Sequence, residues 1–85
     1  MNDPAPMPLD QAREIFPPAW VIYERPADYP QGYVVRCWYG LTPEPVAFRC
    51  PSLVEAREYA VESGASIPLA HAAGGEAECI VETWL

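Results

Sequence analysis

YVVRCWY, residues 33–39, is the stretch of this sequence that decides the fold. It consists mainly of β-branched and aromatic residues, which pack well on a pleated surface and therefore predict a strand. Side chains alternate between the two faces of a strand. One face carries Tyr33, Val35, Cys37 and Tyr39, and the other carries Val34, Arg36 and Trp38.

Further strand segments lie on either side of this one along the chain. Residues 20–24 and 46–50 have similar composition, and residues 78–85 form a fourth segment at the end of the chain. The connections at 26–32 and 40–45 contain proline and glycine, which favour turns. Short connections of this kind predict a three-stranded antiparallel meander.

One helix is predicted between the third and fourth strands. Ser52 is its N-cap candidate, Glu55 completes a capping-box pattern, and Gly64 suits the residue that ends a helix. The small and apolar side chains that share one face of this helix are Leu53, Ala56 and Ala60. The carboxylates on the opposite face are Glu55, Glu58 and Glu62.

The remaining segments complete an α+β domain over residues 9–85. Residues 9–16 predict a short helix, residues 1–8 a proline-rich flexible tail, and residues 65–77 a mobile loop. The helix that precedes the fourth strand would allow this strand to join the sheet edge in parallel orientation. We therefore expect one helix to cover one face of a four-stranded sheet.

The alternation of side chains then divides the strands between a covered and an open face. If the less charged sets pack beneath the helix, the core contains Cys37, Cys50 and Cys79. The open face then carries Arg36, Trp38, Arg49, Ile80, Glu82 and Trp84. The first strand fits either orientation, because Trp20 and Tyr23 lie on opposite sides of it.

Charge excludes several classes of partner. The formal charge is −7, and arginine supplies all five basic residues. An acidic surface repels phosphate, so we expect neither direct nucleic-acid binding nor binding to an anionic membrane. The chain has no long apolar run and no secretory signal, which predicts a cytoplasmic protein with reduced cysteines.

Two surfaces have the composition of a protein-binding site. Arginine and tryptophan are enriched at interface hot spots, and the expected open sheet face carries Arg36, Trp38, Arg49 and Trp84. The second surface is the helix face with Glu55, Glu58 and Glu62. Three alternatives remain: a solvated sheet face, a face covered by the N-terminal helix, and a homodimer formed through it.

Catalytic and metal chemistry has little support in this sequence. Zinc ligands usually occur in pairs two to four residues apart, and no such pair occurs among Cys37, Cys50, Cys79 and His71. We therefore interpret the cysteines as buried thiols, with a Cys/His metal protein as the alternative. No phosphate loop, dinucleotide fingerprint or nucleophile elbow occurs. The sequence therefore predicts neither an enzyme nor a cofactor.

The middle of the chain carries a resemblance. IYERP at 22–26, DYP at 28–30, YVVR at 33–36, Trp38, PV at 45–46 and LVEAR at 53–57 resemble a group of small bacterial and phage-borne proteins of unknown function. The short acidic profile is also similar in class to phage-encoded inhibitors such as anti-CRISPR proteins. That likeness implies an inhibitor that binds a host nucleic-acid-processing complex by steric block or charge mimicry.

Overall fold

A computed structural model describes residues 7–70 and 79–85 of the chain. Segment 71–78, which carries His71, Glu76 and Glu78, lies outside the described residues. The helices and strands in chain order are α1 (Leu9–Ile15), β1 (Pro18–Glu24), β2 (Tyr33–Tyr39), β3 (Thr42–Pro43), β4 (Phe48–Cys50), α2 (Leu53–Glu62), β5 (Pro68–Ala70) and β6 (Ile80–Trp84). The predicted α+β class is confirmed.

All six strands that the structure describes belong to one antiparallel sheet. Its order is β3-β2-β1-β6-β5, and β4 pairs with β2 on the same side as β3. β1 and β2 pair along their whole length, from Pro18 opposite Tyr39 to Glu24 opposite Tyr33. The predicted antiparallel meander is therefore present as β1, β2 and β4, with β4 at the edge of the sheet.

The last strand differs from the prediction of a parallel edge strand. β6 pairs antiparallel with β1, and β5 pairs with its other side. β5 falls in the segment predicted as a mobile loop, and β3 falls in a predicted connection. Both are two- or three-residue strands that contain a proline, so local composition favours a turn while pairing with a neighbouring strand decides the structure.

The core lies between α2 and the central strands. Its buried residues come from β1, β2, β4, α2 and the segment after α2, and they are Trp20, Ile22, Val35, Cys50, Ala56, Ala60 and Ala65. Leu53 and Tyr59 of α2 pack against this cluster. The predicted inner face of the helix is therefore confirmed.

The ends of α2 follow the sequence signals. The Ser52 hydroxyl accepts a hydrogen bond from the Glu55 backbone N–H at 3.2 Å, which caps the first turn. After the helix, Gly64 has a φ of +120°, a conformation that is strained for residues with a Cβ. The chain then turns back toward β5.

The N-terminal helix lies near the turn between β2 and β3. α1 contacts both strands, and the Phe16 ring lies 2.8 Å from the position that a Cβ on Gly40 would occupy. The Met7 carbonyl accepts a hydrogen bond from the Thr42 hydroxyl at 3.2 Å. Met7, inside the stretch predicted as a flexible tail, thus contacts the fold. Residues 1–6 lie outside the described residues.

The helices described by the structure have 7 and 10 residues. Neither combines the length and the apolar character that crossing a membrane requires.

Candidate functional site

The sheet has two distinct faces, and the pairing register assigns each side chain to one of them. Trp20 and Ile22 belong to the core beneath α2, and their partners across the strand pair are Trp84 and Glu82. Paired residues project to the same face. Trp84 and Glu82 therefore lie on the α2 side, and their predicted position on the open face is wrong.

A β-bulge separates Ile80 from Glu82 and Trp84, with which simple alternation grouped it. Ile22 pairs with Glu82 but Tyr23 pairs with Ile80, so Val81 is an extra residue in β6. Val81 packs against the core, whereas Ile80 shares the opposite face with Tyr23. A sequence without a glycine or proline at this point gives no signal of the bulge.

The three cysteines do not share one environment. Cys50 is 2% exposed and Cys37 packs against the core, as predicted. Cys79 instead lines a shallow hollow with Tyr23 and Arg36 on the opposite face, so its predicted core position is wrong. Burial raises the pKa of the Cys50 and Cys37 thiols, which keeps both protonated and weakly nucleophilic near neutral pH.

Arg36, Trp38 and Arg49 lie on the face opposite α2, as predicted. Their polar groups have partners within the chain. The Trp38 indole donates to the Tyr23 hydroxyl at 3.1 Å, and the Arg36 guanidinium donates to the Glu44 carbonyl. The Arg49 guanidinium lies 5.1 Å from the centre of the Tyr29 ring. The structure therefore does not bring all four predicted sheet residues together, and the three that share a face make contacts within the chain.

The three glutamates of α2 form a different kind of surface. Glu55, Glu58 and Glu62 are exposed, and none of their carboxylates forms a hydrogen bond or salt bridge with another described residue. Two exposed valines lie beside them, Val54 at 60% and Val61 at 51% exposure. We call this set, Val54, Glu55, Glu58, Val61 and Glu62, the α2 outer surface.

A hollow of about 380 Å³ runs along this surface. Its lining includes the two valines, Arg57, Glu58 and Glu62. The Arg57 guanidinium forms its salt bridge with Glu82 of β6, through two nitrogens, and none with Glu55, Glu58 or Glu62. The same contact lowers the pKa of the Glu82 carboxyl, with a smaller contribution from the Trp84 indole.

A second hollow, of about 390 Å³, lies between the C-terminal end of α2 and the C-terminal part of β2. It is lined by aromatic, apolar and polar side chains, namely Trp20, Val35, Cys37, Tyr39, Glu44, Val46, Tyr59 and Ser63. Sequence reasoning missed this site. Its aromatic residues come from β1, β2 and α2, so only the pairing of Trp20 with Cys37 and the position of α2 bring them together.

Metal ligation is not indicated by the residues that the structure describes. Within 7–70 and 79–85, no three His, Cys, Asp or Glu side chains lie close enough to hold an ion. His71 of the predicted four-ligand set lies outside this part of the chain.

Comparison of the chain with protein-family models, curated proteins and solved structures finds no match. The resemblance to small phage-borne proteins therefore stays a prediction from the residues that carry it.

Proposed function

We propose that this chain is a protein-binding module that presents the α2 outer surface to a basic partner. The observation that carries the proposal is the group of three exposed carboxylates without a salt-bridge partner among the described residues, beside two exposed valines. Apolar contact supplies affinity at an interface, and complementary charge supplies orientation and association rate. Exposed apolar side chains and charged side chains lie side by side on α2.

Four of the five arginines have partners other than the α2 glutamates. Arg13 pairs with Glu44, Arg57 pairs with Glu82, Arg36 bonds a backbone carbonyl and Arg49 lies over a tyrosine ring. There is no lysine. Among the described residues, no arginine forms a salt bridge with Glu55, Glu58 or Glu62, although Arg57 lines the same hollow.

The partner that fits this surface best is one that binds nucleic acid. The helical rise of 1.5 Å per residue spreads the three carboxylates over about 10 Å along the axis. Phosphates follow one another at about 3.4 Å of axial rise along a strand of B-DNA, so the carboxylates span a length comparable to three nucleotide steps. Charge mimicry by an inhibitor of phage or mobile-element origin is the specific form of the proposal.

Affinity capture from the native host tests the proposal. The test variant replaces Glu55, Glu58 and Glu62 with glutamine, and a matched control replaces Asp10 with Asn and Glu14 and Glu24 with Gln. Both change the formal charge by the same amount, and all six residues are exposed. We expect partners captured by the wild type to be retained by the control and lost by the α2 variant. Equal loss from both variants, or retention by both, would contradict the proposed surface.

A homodimer is the second candidate function. The observation that favours it is an exposed apolar group at the β5 side of the described sheet, formed by Ile67, Leu69 and Leu85. Backbone hydrogen bonds join Ile67 and Leu85, so the three side chains lie close together. Light scattering of the wild type and of Leu69→Lys tests it: a dimer that the charge converts to a monomer supports this candidate, and a wild-type monomer removes it.

A further inference from the structure

The hollow beside the C-terminal end of α2 has walls of an unusual composition. Two aromatic residues come from the sheet and one from the helix, and they are Trp20, Tyr39 and Tyr59. Glu44 adds the only carboxylate among the described lining residues. We call this site the aromatic hollow.

The aromatic walls are held in place by the fold. Trp20 and Tyr39 lie on the same face of adjacent strands, because Trp20 pairs with Cys37, two residues before Tyr39. The Tyr59 ring stacks on Phe48 at 4.2 Å between ring centres, nearly parallel to it. The hollow is therefore preformed rather than dependent on a rearrangement of side chains.

Electrostatics of the aromatic hollow favour a positive charge. The face of an aromatic ring carries a negative potential that attracts a cation within about 6 Å of the ring centre. Ser63, the C-cap of α2, contributes to the lining, and a helix C-terminus carries partial negative charge. The last turn of α2 contains no basic residue that would oppose this effect.

The chain itself places a cation at the rim. The Arg13 guanidinium donates to the Glu44 carboxylate at 2.6 Å and lies 5.7 Å from the centre of the Tyr39 ring. An aromatic face and a carboxylate of this site thus already bind an organic cation. Arg13 is itself about half exposed, so displacing it requires little loss of packing.

We propose that the aromatic hollow is a binding site for an organic cation of the quaternary ammonium class, and that Arg13 competes with this ligand for Glu44 and Tyr39. A volume of about 390 Å³ lies within the range of pockets for small ligands. The aromatic hollow is separate from the α2 outer surface. Its test needs no protein partner, so its failure leaves the proposed function unaffected.

Titration with choline, monitored by NMR at the Trp20 indole, tests the site. The matched control ligand is 3,3-dimethylbutan-1-ol, which has the shape of choline without its charge. We expect a saturable shift of the Trp20 signal with choline and binding of the neutral alcohol that is at least about fivefold weaker. Equal binding of choline and the neutral alcohol would overturn the proposal.

Two variants that break the same salt bridge sharpen the test. Arg13→Gln removes the competing cation and should tighten choline binding by about two- to fivefold. Glu44→Gln removes the carboxylate and should weaken binding by a similar factor. Glu14→Gln, an exposed carboxylate of the same helix as Arg13, should leave binding unchanged. If Arg13→Gln and Glu44→Gln changed the affinity for choline in the same direction, the salt bridge would act only on stability. That result would overturn the proposal that Arg13 competes with the ligand.

The source of the cation is resolved by a second ligand. A short peptide with one trimethyllysine presents the same ammonium group on a protein side chain. Tighter binding of this peptide than of choline assigns the site to a protein ligand, and tighter binding of choline assigns it to a small molecule. Failure of both ligands to shift Trp20 overturns the proposal.

Discussion

Ile22 is the side chain at the centre of the core. It is fully buried and belongs to β1, the strand that pairs with both β2 and β6. Its replacement by alanine removes three carbons and leaves a cavity, which costs about 2–5 kcal/mol of unfolding free energy. Urea denaturation of Ile22→Ala measures the loss, with Leu41→Ala as control because Leu41 is 93% exposed. An equal effect of the two substitutions would place the core elsewhere.

Glu82 makes stability dependent on pH in a defined direction. Its salt bridge with Arg57 lowers the pKa of the folded carboxyl below that of the unfolded chain, about 4.3 for glutamate. In the acid range the unfolded state then binds more protons, so stability from this pair is complete above the unfolded pKa and is lost as pH falls through the folded pKa.

The corresponding prediction compares wild type with Glu82→Gln. The wild type should have the higher urea midpoint at pH 7, and the two curves should approach each other below about pH 4. A difference that stays constant from pH 7 to the acid limit would show that Glu82 acts through packing rather than charge.

The sequence correctly predicted which face of the sheet a side chain lies on where the strands pair without irregularity. Alternation correctly put Val35 and Cys37 beneath α2 and Arg36 and Trp38 on the opposite face, because β2 pairs regularly with β1. It failed for Glu82 and Trp84, because the less charged set of β6 was expected beneath α2, whereas Glu82 lies there in a salt bridge with Arg57 and Trp84 pairs with Trp20.

α2 is the element that the sequence specified most completely. Its cap, its inner face and its acidic outer face depend on residues within one helix, so local rules suffice. β5 depends on pairing with β6, which lies beyond segment 71–78 in the chain. No local pattern in residues 68–70 predicts that pairing.

The cap of α2 gives a prediction at the scale of the element. Ser52→Ala removes the hydroxyl that accepts from Glu55 N–H and should lower the unfolding free energy by about 1 kcal/mol. Ser66→Ala, an exposed serine outside a helix, is the matched control. Ser52→Gly should recover most of the loss, because glycine allows water to reach the same amide. A loss below the error of chemical denaturation would show that the cap hydrogen bond is not formed.

The sequence predicted two binding surfaces, and the structure of the whole molecule divides one of them and leaves the other intact. The arginine–tryptophan sheet surface is divided, since Trp84 lies on the α2 side and the other three residues have partners within the chain. The α2 outer surface stays exposed and acidic as predicted. The sequence indicated this second surface because helical spacing alone places the three glutamates together.

The absence of lysine gives a direct measurement of the central claim, that the α2 glutamates contact a basic partner. Carbodiimide joins carboxylates to amines without a spacer, and this chain has no lysine side chain to form such links internally. Cross-linking of the captured complex followed by peptide mass spectrometry should join Glu55, Glu58 or Glu62 to lysines of the partner. Cross-links confined to other carboxylates, such as Asp10, Glu14 and Glu24, would contradict the claim.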